Sequence, residues 1–304
     1  MGESAVQKSA CTKYKSGIAT AKNLTDKIRK VIHFFVTSSL FLAINSALII
    51  YFSSRLYEIE IHPIVLLQTF LTTIAVYGLN KVTDQTEDEI NKPNQTTKYQ
   101  AYFIIPATIC YIITLITGII EGPLFFLVTL IPLFIGFIYS VKISKNLPRL
   151  KEITGIKNLA ITFSWAFICA VLPSLIDTVE PVKIALVFGY IFIQMFINVT
   201  IFDVIDMPGD KAANTKTLSQ FLGKERTAYF LFIVNSLLLI WFSICLVYGL
   251  FIKYLPVAVF GMIYNYVLIG YFTKNPDKRF YAEVIVDGEW IPIVALLLLY
   301  TVKA

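Results

Sequence analysis

The residues best equipped for chemistry fall in two acidic groups. In the first, Asn80, Asp84 and Asp88 recur at four-residue intervals. On a helix that spacing stacks all three side chains on one face. Carboxylates one turn apart repel by about a few tenths of a kcal/mol on an exposed helix, and by more near lipid, so they call for a cationic partner. The second group is Asp203, Asp206 and Asp210, again with two aspartates four residues apart. A solvated, acid-rich helix end is the plain alternative for either group alone. Two facing carboxylate pairs suit magnesium, a hard cation that takes oxygen ligands and binds one or two carboxylates together with substrate phosphates. Lys81, Lys142, Lys211 and Lys216 lie beside the acids or at the same helix ends, where they could hold the outer oxygens of a diphosphate. Pro208-Gly209 is expected to unwind the chain at the second group, which is tolerated where backbone lines a polar cavity.

The elements that must position these residues are membrane helices. Of the 304 residues, 57% are hydrophobic and 15% charged, and the mean hydropathy is +0.71, outside the balance of a soluble globular domain. A helix crosses the hydrocarbon core with about 20 apolar residues. About nine such runs are readable, near 31–54, 63–82, 100–121, 123–142, 157–176, 182–202, 227–250, 252–272 and 284–302. The expectation is an all-α membrane protein, with nine transmembrane helices bundled around a central cavity. Residues 31–304 form its single domain, behind a polar, basic cytoplasmic arm of residues 1–30 without a signal peptide.

Sorting the basic residues by loop tests this layout, because Lys and Arg are retained on the cytoplasmic side during insertion. With nine helices, 22 of the 26 fall on the face that carries the N-terminus, and only Arg55, Lys183, Lys253 and Lys303 fall on the other. The N-terminus and the active-site loops are therefore placed in the cytoplasm and the C-terminus outside, in the cell membrane. The net charge of +6 needs no nucleic acid, since cations at helix ends meet anionic headgroups or an anionic substrate. Both acidic groups fall on that same face, at the ends of helices 2 and 6. The four cysteines are scattered without metal-ligand spacing, and the two histidines have no partner cluster.

With both motifs at the ends of these helices, the chain resembles the UbiA-type intramembrane polyprenyltransferases over nearly its whole length. The segment from Asn80 through Asp84 to Asp88 is similar to the first motif of that family. The segment from Asp203 through Asp206 and Asp210 to Thr217-Leu218 is similar to the second. Tyr139-Ser140 and Asp287-Gly288 also match recurrent features. The chain departs from the pattern after the first motif, where Lys92 or Lys98 stands in for the usual arginine, and at Asn214, where a glycine is usual.

The resemblance implies magnesium-dependent transfer of a polyprenyl group, such as geranylgeranyl, from its diphosphate to a lipophilic acceptor within the membrane. That acceptor is either an aromatic quinone precursor or a glyceryl-phosphate lipid. It implies Asp84, Asp88, Asp206 and Asp210 as catalytic metal ligands, with Asn80 assisting. Asn80, Lys81, Tyr139, Ser140, Lys142, Asp203, Lys211 and Lys216 would contact substrate. Tyr77 and Tyr139 would shield an allylic cation with their ring faces. The alternative is a cation-coupled secondary transporter using the acids as an ion site. Transporters, however, place such residues near the bilayer midplane rather than at helix ends.

Overall fold

The computed structural model describes residues 34–35, 38–84, 90–91, 103–142, 144, 149–212 and 215–302. The expected arm of residues 1–30 lies outside them. Within them the secondary structure is helical, with no strand. The helices are α1 (Leu40–Tyr57), α2 (Pro63–Thr83), α3 (Ile104–Glu121), α4 (Pro123–Ser140), α5 (Ile156–Val171) and α6 (Pro181–Ala212). They continue with α7 (Leu218–Leu222), α8 (Lys224–Ser236), α9 (Leu238–Tyr248), α10 (Leu255–Phe272), α11 (Arg279–Ile285) and α12 (Trp290–Val302). Among the described residues, eight segments are long and apolar enough to cross a membrane, α8 and α9 counting as one.

The helix ends follow local chemistry. Both α2 and α4 open on proline at the first position, where a missing N–H is harmless and the fixed φ is already helical. Gly122 alone joins α3 to α4, at φ 119 and ψ 170, a conformation that is essentially restricted to glycine. The residues of α3 then divide by size. Ile105, Ile109, Ile112, Ile116, Ile119 and Ile120 are exposed, as lipid-facing side chains should be, whereas the buried positions are the small residues Ala107, Thr114 and Gly118. Without a hydrophobic driving force between helices in lipid, small residues that let backbones approach are what association requires. A Cβ added at Gly78 on α2 would lie 2.6 Å from the Cβ of Ala107, and one at Gly136 on α4 would lie 2.8 Å from Val76. Gln68 of α2 clips this layer together, donating to the Thr114 carbonyl at 2.8 Å and to Thr129 Oγ1 at 3.3 Å.

Two expectations are corrected here. The ninth apolar run, 284–302, is not one helix: residues 286–289 form a turn between α11 and the 13-residue α12. Within the turn Glu289 N bonds the Val286 carbonyl at 3.2 Å, and side chains from neighbouring helices add to it. Asn198 Nδ2 donates to Val286 O at 2.8 Å and Tyr264 Oη to Ile285 O at 3.1 Å. Conversely, Pro208-Gly209 does not unwind α6, which runs through both residues to Ala212. Proline removes a helical hydrogen bond and disturbs its neighbour. The Gly209 amide is taken instead by Asn91 Oδ1 at 2.9 Å, against a backbone that leaves no room for a Cβ.

Gly78→Val forces α2 away from α3 and is expected to destabilise the protein by about 1–3 kcal/mol, as overpacking does. The measurement is thermal unfolding of the detergent-solubilised protein, followed by tryptophan fluorescence; an unchanged midpoint would contradict this packing.

Candidate active site

The C-terminal ends of α2, α4 and α6 and the N-terminal ends of α5 and α11 converge on one polar cavity of about 210 Å³. On one wall stands the first motif. Thr83 Oγ1 donates to the Asn80 carbonyl at 3.0 Å and to Asp84 Oδ1 at 3.2 Å. Ser140 Oγ at the end of α4 donates to Asn80 Oδ1, also at 3.2 Å. On the opposite wall, α6 presents Asp203, Asp206 and Asp210 at spacings of three and four residues, hence on one face.

Asp84, Asp203, Asp206 and Asp210 each meet a cation from another part of the chain. Lys151, itself buried, hydrogen-bonds Asp84, and Arg149 Nη1 stands 4.0 Å from the same oxygen. Lys157, in the first turn of α5, bridges Asp203 Oδ1 at 2.8 Å and Asp210 Oδ2 at 3.0 Å. The other oxygen of Asp203 accepts from Asn158 Nδ2 at 2.7 Å. Arg279 of α11 pairs with Asp206 and reaches Glu283 Oε1 through Nε at 3.1 Å. Burial opposes charge on Arg279, and Asp206 with Glu283 outweighs it, so its pKa is raised further. Burial likewise opposes charge on Glu152, but hydrogen bonds from Arg149 outweigh it and hold this carboxyl below its usual range.

The cavity continues at Tyr77, Asn80, Tyr139 and Ile161 into a second pocket of about 80 Å³ between α2, α4 and α5. Its character is apolar, and Tyr77 Oη at the junction accepts from Trp165 Nε1 at 3.1 Å. An ion-lined chamber opening into an apolar slot is the shape an amphiphile with a charged head would fill.

A sequence profile of the UbiA prenyltransferase family matches residues 34–285. This chain belongs to that family. It is an intramembrane prenyltransferase and a multi-pass integral membrane protein, which displaces the transporter alternative. Similar folds include a digeranylgeranylglyceryl phosphate synthase, with TM-score 0.58 and 19% identity over 89% of this chain and 96% of that one. A UbiA homologue from Archaeoglobus fulgidus, bound to GPP and Mg2+, aligns with TM-score 0.61 and 14% identity over 87% of this chain and 99% of that one. An apo UbiA homologue from Aeropyrum pernix K1 aligns with TM-score 0.64 and 12% identity, covering 84% and 98% respectively. No match was found among curated protein sequences.

Within the family framework, Asn80, Lys81, Asp84, Tyr139, Asp203, Asp206 and Asp210 all line the polar cavity. Ser140 lines the apolar pocket and bonds Asn80. Lys81 also stands over the Phe103 ring, 4.8 Å from its centroid. Lys142, Lys211 and Lys216 are not brought in: all three are exposed and absent from the cavity walls. The reason is geometric, since Lys211 leaves α6 next to Asp210 but on another face, and the other two lie beyond the ends of their helices. Asp88, Lys92 and Lys98 lie outside the described residues. Among the described residues, no three His, Cys, Asp or Glu side chains form a ready chelating group.

Besides Lys81, the cavity takes Lys151, Lys157 and Arg279, which the sequence marks only as cytoplasmic-side loop charges. A usable signal existed for Lys157, which opens an apolar run instead of standing outside it. Removing it leaves Asp203 and Asp210 buried without their charge partner. Lys157→Met is therefore expected to cost about 3–5 kcal/mol, and adding Asp203→Asn should recover part of the loss. Thermal unfolding of the single and double variants checks this; an equal or larger loss in the double variant would contradict the pairing.

Proposed function

We propose that this prenyltransferase moves an isoprenoid chain from its diphosphate to a lipophilic acceptor at this cavity. Asp84, Asp88, Asp206 and Asp210, with Asn80, would be the Mg2+ ligands. The observation that carries the reading is the placement of Asn80 and Asp84 opposite Asp206 and Asp210, across one chamber that opens into an apolar pocket.

The donor set fits the metal. Every acidic or amide ligand candidate offers hard oxygen, and among the described residues neither thiol nor imidazole lines the cavity. Bound there, Mg2+ supplies positive charge to the leaving diphosphate. Lys81, Lys151, Lys157 and Arg279 hold the outer diphosphate oxygens, and Lys142, Lys211 and Lys216 remain at the surface among anionic headgroups. Asp203 positions Lys157 and, with Asn158, fixes its direction. The bond from C1 of the prenyl group to the bridging oxygen breaks, with the electron pair leaving on the diphosphate. Tyr77 and Tyr139 turn aromatic walls toward the allylic cation and screen it from water. The acceptor closes a new bond to C1 and gives up a proton. Either an aromatic quinone precursor or a glyceryl-phosphate lipid meets this requirement, since each offers an electron-rich carbon or oxygen. Residues 31–304 form the transmembrane domain and 1–30 its cytoplasmic arm. The site faces the cytoplasm and the C-terminus lies outside the cell membrane.

The test is release of diphosphate from geranylgeranyl diphosphate by purified protein in lipid, with and without magnesium, against aromatic and glyceryl-phosphate acceptors. Acceptor-dependent release that requires magnesium is expected, and Asp84→Ala or Asp206→Ala should lower it by about a hundredfold or more. Full activity in both variants would remove these aspartates from the site.

A further inference from the structure

Asp287 stands in the turn of residues 286–289 that interrupts the last apolar run. The turn is held from several sides. Asn198 Nδ2 donates to Val286 O at 2.8 Å, Asp287 N donates to Ala282 O at 3.3 Å, and Gly288 lies against α1, where an added Cβ would meet Phe41 Cζ at 2.8 Å. A backbone fixed in this way brings Asp287 to the wall of the polar cavity.

Asp287 also borders a smaller space. A niche of about 20 Å³ lies between α1, α2, α5, α6 and the start of α12. It shares Tyr77, Asn198 and Asp287 with the polar cavity, and Tyr77 and Trp165 with the apolar pocket. Among the described residues, Asp287 is the one carboxylate common to cavity and niche.

The niche has hydrogen-bonding capacity that the protein itself does not use. Asn45 lines it and is only 2% exposed; its Nδ2 donates to the Phe41 carbonyl at 2.9 Å, and its Oδ1 has no partner. Trp290 lines it too, and its Nε1 is likewise without a partner. A buried polar atom left unsatisfied is destabilising, so an occupant that both donates and accepts is called for. A hydroxyl is the smallest group that does both. The space suits it, because a water-sized group needs about 10–15 Å³, and an aromatic ring needs far more.

Resting on the prenyl-transfer reading above, we infer that this niche holds the hydroxyl of the acceptor and that Asp287 takes its proton. Diphosphate leaves with the electron pair of the bond to C1. The acceptor oxygen then closes a bond to C1, its O–H bond breaks, and the proton passes to a carboxylate oxygen of Asp287. The product is an ether, and the acceptor class is an alcohol in preference to an aromatic ring that reacts at carbon.

The experiment follows transfer from geranylgeranyl diphosphate by the full-length protein in lipid nanodiscs with Mg2+. The acceptors are a glyceryl-phosphate lipid with a free hydroxyl and a hydroxybenzoate, and the new bond is identified as ether or carbon–carbon. Donor binding is read separately, by displacement of labelled geranyl diphosphate. The lipid ether is the expected product. Asp287→Asn keeps the shape of the side chain but cannot take a proton, so turnover should fall about a hundredfold or more with donor affinity unchanged. Asp287→Glu should recover part of the rate. Asn45→Val should raise the KM for the lipid about threefold to tenfold, with kcat little changed. Near-native turnover in Asp287→Asn, or loss of donor binding together with turnover, removes Asp287 from proton transfer. Transfer only to a ring carbon of the hydroxybenzoate shows that the niche holds water alone and overturns the inference, while prenyl transfer stands. No transfer to either acceptor by the native protein sinks the two readings together.

Discussion

Carboxylates at the edge of a membrane must be neutralised, and most of this architecture can be read as the means of doing so. A buried charge costs several kcal/mol unless it is paired and hydrogen-bonded. Asp84, Asp203, Asp206 and Asp210 are each paired, and every partner comes from a different element. Lys151 precedes α5, Lys157 opens it and Arg279 opens α11. These ion pairs tie α2 to the segment after α4, α5 to α6, and α6 to α11. The constraint that makes the site electrically tolerable therefore also draws the helix ends around it. The same cations serve a diphosphate equally well, because phosphate and carboxylate oxygens ask for the same donors.

Beneath that charged layer the interior changes character within about one helical turn. Tyr77 and Tyr139 stand at the boundary, belonging to both the polar chamber and the apolar pocket. Their neighbours hold them by packing and by one indole hydrogen bond. The close approach of α2 to α3 and α4, set by Gly78 and Gly136, decides how narrow the pocket is. The interior thus offers two physically distinct compartments, one lined by charged groups and one by apolar side chains.

What was legible in the sequence was what depends on residues close together along the chain. Apolar runs of spanning length, the four-residue spacing of Asn80 with Asp84 and of Asp206 with Asp210, and the gathering of cations in alternate loops are all local patterns. They were enough for the fold class and for expecting Asn80, Asp84, Asp203, Asp206 and Asp210 at one end of the bundle, because hydrophobic transfer and helical periodicity act without reference to distant residues.

Tertiary structure alone decided which cations serve those acids. Lys142 and Lys157 flank the same loop, yet only Lys157 turns into the cavity, because α5 packs against α6 along the face that carries Asp203 and Asp210. The break at residues 286–289 and the unbroken end of α6 were equally hidden. Each involves a side chain from far away in sequence, Asn198 bonding the Val286 carbonyl and Asn91 the Gly209 amide. A helix in lipid has no water to complete its hydrogen bonds, so where it bends or stops is settled by its neighbours, and the neighbours exist only once the chain has folded.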